Sequence, residues 1–195
     1  MALTFLGGLW RAVWGESSSA SAARAAYLAV VAAARRPAYY TRYRVPDTVD
    51  GRFEMIVVHA VLLVRRIKGR GDEADRFGRE FMSHLFDDMD RNLREMGTGD
   101  MRVGRRIKEM AEAFYGRARV YQAALDAGTG EALAEALERN AFPLESPGKE
   151  VLDGLAASLA AQARDLESQP LEAILAGNVA FLAVEPLESA ATDSN

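Results

Sequence analysis

The sequence predicts an all-α fold: a single-domain helical bundle with a central hairpin of two long helices. Three observations carry that expectation. Apolar residues recur at spacings of three and four along nearly the whole chain, while two-residue alternation is almost absent. The 195 residues are 49% hydrophobic and 27% charged, the balance of a soluble globular protein with one core. A chain of this length removes about 70% of its unfolded surface from water on folding, so the absence of cysteine leaves no gap that disulfides would have to fill.

The elements follow in order. Residues 22–36 form an alanine-rich helix with Tyr27, Val30, Val31 and Ala34 on one face, stopped by Pro37. A tyrosine-rich connector leads to a helix over residues 50–68. There Phe53, Ile56, Val57, Ala60, Val61, Val64 and Ile67 form one stripe, and Met55, Val58, Leu62 and Leu63 fill its flanks. A helix apolar on so many sides belongs at the centre. Arg65, Arg66, Lys68 and Arg70 stand at its carboxyl end, where cations complement the helix dipole, and Gly69 and Gly71 break the chain.

The first arm of the hairpin begins at Asp72, carries the stripe Phe77, Phe81, Leu85, Met89, Leu93 and Met96, and stops at Gly97. The second runs over residues 103–127 with Val103, Ile107, Met110, Phe114, Ala118, Tyr121 and Leu125 in a near-heptad stripe. Shorter helices are expected over residues 131–140 and 149–167, the latter capped by Ser146 with Pro147 in its first turn. The apolar tail, residues 171–187, is expected to pack on the bundle. The organisation expected is a basic amino-terminal helical arm (1–46), a helical domain (47–187) and a frayed tail (188–195).

Charge is unevenly spread. Residues 1–46 hold six arginines and one acid, residues 47–125 hold 15 basic and 14 acidic residues, and residues 126–195 hold 3 basic and 13 acidic. A basic arm fits RNA, a ribosome or an anionic lipid surface, or is simply solvated. The uncharged stretches 25–34 and 55–64 reach ten residues, against about 20 needed to span a bilayer. Residues 1–21 combine Trp10 and Trp14 with Leu3, Phe5, Leu6, Leu9 and Val13. They fit an organelle transit peptide, an interfacial helix, or a segment docked on the chain's own core.

Catalytic signatures are missing. Two histidines stand at the wrong spacing for a ferritin-like Glu-x-x-His pair, since His84 follows Glu80 by four and His59 follows Glu54 by five. No phosphate-cradling loop, dinucleotide fingerprint or nucleophile elbow occurs. Asp87, Asp88 and Asp90 lack the spacing of a calcium loop. The expectation is a protein with no enzymatic activity, cofactor, metal or small-molecule substrate.

Residues 85–117 are denser in special residues than a helical hairpin requires. Gly97, Gly99 and Asp100 are followed by Arg102, Arg105, Arg106 and Lys108 in the first turns of a helix, where the dipole disfavours cations. A broken local rule marks a place where a partner supplies the compensation. Gly116, inside the same helix, suggests close approach by another helix.

Two blocks, DGRFEMIVVHAVLL (50–63) and LFDDMDRNLREMGTGDMRVGRRIKEMAEAFYGR (85–117), resemble the signature blocks of the ubiquinol-cytochrome c chaperone family. The specific parts are LREMGTGD, the basic pair Arg105-Arg106 and AFYGR, within a similarity covering about residues 39–144. The resemblance implies an all-helical assembly factor of the cytochrome bc1 complex, which binds newly made cytochrome b as its client. Residues expected at the partner face are Asp100, Arg105, Arg106, Lys108, Phe114, Tyr115 and Arg117, with Arg65, Arg66 and Lys68 as a second patch. Contact of the arm with a membrane surface or a ribosome stays open beside this. The location expected is the cytoplasm, peripheral at the inner membrane, or the mitochondrial matrix in a eukaryote. The alternative reading is an RNA-, ribosome- or membrane-binding helical module that uses the arm.

Overall fold

The structure is a computed structural model that describes residues 18–95 and 100–184; Trp10, Trp14 and the turn at Gly97 and Gly99 lie outside the described residues. In chain order, α1 (Ser18–Ala34), α2 (Pro37–Thr41), α3 (Val49–Ile67), α4 (Asp72–Glu95), α5 (Asp100–Ala127), α6 (Gly130–Ala141), α7 (Lys149–Ser168) and α8 (Leu171–Leu175) make the bundle. No strand occurs among the described residues.

Helix α3 is the axis. Met55, Val57, Val58, Ala60, Leu62 and Leu63 are buried on successive faces, and α1, α5, α6 and α7 pack around it. Its entry is fixed by two neighbouring residues. Thr48 caps the helix, its hydroxyl oxygen accepting from the Gly51 amide at 3.1 Å. Gly51 itself lies so close to the preceding loop that a Cβ would fall 2.0 Å from the Pro46 carbonyl oxygen, so this turn admits glycine alone. That accounts for the glycine of the DGRFEM block by packing.

The hairpin of α4 and α5 packs on α3 through Phe77, Phe81, Leu85 and Met89 on one arm and Val103, Phe114 and Tyr121 on the other, all buried. Helix α1 contributes Ala23, Ala26, Tyr27 and Val30 to the same core and lies against α4; its small side chains let the two backbones approach. Tyr27 donates to Asp88 at 2.6 Å, and His84 hydrogen-bonds the Ala20 carbonyl at 3.1 Å. The basic segment before Pro46 is thus integrated with the bundle from residue 18 onward.

Two local expectations are corrected. Helix α7 is preceded by Gly148 at φ +95°, with no side-chain cap, and Ser146 instead accepts weakly from the Gly148 amide at 3.4 Å. Among the described residues nothing lies within 4 Å of where a Cβ of Gly116 would be, so no described helix of the chain itself approaches closely there. The tail packs on the bundle as expected: after α8 it is non-helical from residue 176 to residue 184, with Val179, Phe181 and Val184 resting on the core.

Candidate partner-binding site

The two signature blocks meet inside the bundle. Glu54 of α3 is 1% exposed, accepts from the Tyr121 hydroxyl at 2.6 Å, and takes a charge-assisted hydrogen bond from Nε of Arg117. Burial raises the Glu54 carboxyl above its ordinary value, against the opposing pull of Tyr121 and Arg117. Burial and the adjoining carboxylate also push the Tyr121 phenol well up. The Arg117 guanidinium lies over the Phe53 ring, 5.8 Å from its centroid. Arg117, expected at the partner face, is therefore committed to holding α5 on α3.

Phe114 and Arg66 are corrected in the same direction. Phe114 is 2% exposed, packed edge-on against Phe86 with centroids 6.1 Å apart. Buried Arg66 donates to the carbonyls of Leu166 at 2.8 Å and Gln169 at 2.7 Å, satisfying acceptors at the carboxyl end of α7 that have no intrahelical donor. Arg65 pairs with Asp126 at 3.0 Å and Glu167 at 3.1 Å, and Arg70 reaches Glu167 at 3.4 Å. The basic run at the end of α3 thus faces the chain's own acids Asp126 and Glu167, while Lys68 is exposed and makes no ion pair among the described residues.

The remaining candidates stay accessible. Arg105 and Arg106 each stand 3.5 Å from Glu109, and Lys108 stands 3.8 Å from Glu112, all strongly exposed. Such surface pairs are screened and give way readily to a partner's charge. Asp100 opens α5, and its side chain is outside the described set. Tyr115 is 55% exposed, its ring 5.5 Å from Phe114 and 6.4 Å from Phe86. The buried ring thereby acts as the footing of the exposed one.

Tyr115 lines a groove of about 520 Å³ that the sequence reading missed. Val64 and Ile67 of α3 and Met82 and Phe86 of α4 line it together with the charged residues Lys68, Asp75 and Arg79. The signal was present as Arg79, Met82 and Phe86, a second stripe at three and four beside the core stripe of α4. Lys108 lies seven residues before Tyr115, two helical turns away on the same face, roughly 10 Å along the axis. The structure therefore gathers Lys68 and Tyr115 at one groove, with Lys108 two turns before Tyr115 on α5 and Arg105 and Arg106 nearer the amino end of that helix. Among the described residues no group of three or more His, Asp or Glu side chains converges to hold a metal ion, and no helix is long and apolar enough to cross a membrane.

The sequence profile described as Ubiquinol-cytochrome C chaperone matches residues 41–181, well over half of the chain. The chain belongs to the ubiquinol-cytochrome c chaperone family. Its fold agrees with the crystal structure of the Cbp3 homolog from Brucella abortus, with a TM-score of 0.77 and 34% identity over 94% of this chain and 97% of that one. A comparison with curated proteins gives no match. For this family member, the block 85–117 supplies Phe86 and Tyr115 to the groove, while Glu54 in the block 50–63 holds α5 through Arg117 and Tyr121.

Proposed function

We propose that the chain binds newly made cytochrome b and holds it for assembly of the bc1 complex, and that the groove at Tyr115 is the place of contact. The observation that carries this reading is the groove's lining: apolar Val64, Ile67, Met82 and Phe86, the exposed ring of Tyr115, and the cations Lys68 and Arg79 beside Asp75, with Phe86 and Tyr115 contributed by the block 85–117. A helix with one apolar face fits such a groove, its apolar side chains on Met82 and Phe86 and its flanking acids toward Lys68 and Arg79. Docking of this kind requires no bond-making, and the chain acts without catalysis. Arg105, Arg106 and Lys108 extend the contact electrostatically.

The test uses the tagged full chain in cells that make the bc1 complex. Tyr115→Ala is expected to lower the cytochrome b recovered with it roughly tenfold, the loss typical of an exposed aromatic anchor. Arg105→Glu with Arg106→Glu is expected to lower recovery less, with the helical circular dichroism of both variants unchanged. Normal recovery and normal haem b spectra in both variants would remove this face as the site.

A further inference from the structure

Residues 178–184 cross the bundle without helical structure, entered through Gly177 at φ +90°. Val179 and Phe181 rest on the core while Ala180 and Leu182 are exposed, the alternation of an extended chain. What holds them is unusual for a tail. Gln169 donates to the Ala180 carbonyl at 2.8 Å and accepts from the Ala180 amide at 3.2 Å, so one side-chain amide imitates a neighbouring strand. Arg36 donates to the Phe181 carbonyl at 2.9 Å and also to that of Leu182, which takes a further bond from Nε2 of Gln162 at 3.3 Å. The Phe181 ring stands edge-on to the buried His59 ring, centroids 5.4 Å apart.

These polar contacts all read main chain, and the apolar contacts ask only for a large side chain at alternate positions. That is the recognition logic of a groove for an extended peptide, with affinity from backbone hydrogen bonds and selectivity from alternate pockets. The fit of the chain's own segment is incomplete. Gln162 is 1% exposed, and among the described residues its Oε1 is a buried acceptor with no partner. A segment seated in a different register, bringing a backbone N–H to that oxygen, would satisfy it, which the resident segment does not do.

We propose that this groove, formed by Arg36, His59, Gln162 and Gln169, is a binding site for an extended apolar polypeptide segment, occupied at rest by residues 178–184. The partner's strand enters by displacing them, so the resident segment acts as an internal competitor. Only the identity of that partner rests on the client reading above; the groove's chemistry does not.

The probe is a fluorescent synthetic peptide with the sequence of residues 178–184 flanked by Lys-Ser pairs, titrated by anisotropy against the full chain. Phe181→Asp, which weakens the resident segment's hold, is expected to tighten peptide binding about tenfold or more, and adding Gln169→Ala is expected to reverse the gain. Equal affinity for the wild type and Phe181→Asp, or a gain indifferent to Gln169→Ala, overturns the proposal. Hydrogen exchange on the unsubstituted chain tests it without relying on a variant that folds. Saturating peptide is expected to speed exchange of the amides at 179–184 at least tenfold, and unchanged exchange overturns the proposal. Neither measurement contains cytochrome b, so failure here leaves capture at Tyr115 standing, and failure of that capture leaves this groove untouched.

Discussion

Arg117→Met is expected to lower the stability of the chain by about 3 kcal/mol near pH 8, read as a fall of roughly 10 °C in the thermal midpoint. Methionine keeps the packing of the Arg117 stem beside Phe53 but removes the guanidinium that faces Glu54. Glu54 is then a carboxylate sealed between α3 and α5 with only the Tyr121 hydroxyl for company. Uncompensated burial is relieved by taking up a proton. The sign with pH follows. Glu54 already has a raised folded-state value, and losing Arg117 raises it further. Stability is then complete below the unfolded carboxylate value near 4.5 and is lost as pH rises through the folded value. The deficit of Arg117→Met should therefore shrink toward pH 5 and grow toward pH 8. Glu54→Gln in the same chain should recover most of it, because the amide carries no charge to bury and still meets Tyr121. A deficit independent of pH and unrelieved by Glu54→Gln would mean that Arg117 acts by packing alone.

The second large effect belongs to His59. It has no exposed surface, its Nδ1 bonds the Met55 carbonyl at 2.7 Å, and its Nε2 meets the Tyr39 hydroxyl at 3.0 Å, which in turn accepts from Nε2 of Gln162. With an N–H on Nδ1, the ring donates to Met55 and accepts from Tyr39, so the neutral form satisfies both nitrogens. Burial depresses the imidazole to about 4, with Arg36 acting in the same direction. A depressed value means that the unfolded chain binds the proton more readily. The stabilisation is complete above about 6.5 and is lost as pH falls toward about 4, a total of about 3 kcal/mol. Urea midpoints measured from pH 7 to pH 4.5 should fall accordingly, and His59→Gln should flatten that slope. Protonation of Glu54 over the acid part of the range works the opposite way, so the comparison between wild type and His59→Gln, rather than the bare slope, isolates the imidazole.

How much of this could be read beforehand depends on the range of the interaction. The position of α3 was legible because Met55, Val58, Leu62 and Leu63 leave no polar face, and each of them is buried. The core stripe of α4 was legible for the same reason: period alone decides which residues share a face. Phe114 shows where that reasoning went astray. It belonged to the stripe of α5 and also to the conspicuous AFYGR motif, and burial follows the stripe. Tyr115, one residue on and so about 100° round the helix, is the exposed member.

Arg66 was illegible because its acceptors lie 100 and 103 residues further along. Placement at a helix end explains equally well a cation turned to solvent and one turned onto another helix's carbonyls. The groove depends on where α3, α4 and α5 diverge, a property of their packing rather than of any one segment. The tail was legible only in part, for a related reason. Its apolar content announced contact with the core, but Gly177 turns the chain at a positive φ and the side chains that hold it come from Arg36, Gln162 and Gln169.

We propose that this face of the bundle receives cytochrome b. The most direct test replaces Tyr115 with a photo-crosslinking phenylalanine analogue in the full chain, with Glu135 on the exposed side of α6 replaced as a control, and irradiates cells that are making the bc1 complex. The account predicts a cross-link to newly made cytochrome b from position 115 and none from position 135. No adduct from position 115, or equal adducts from the two positions, would contradict it.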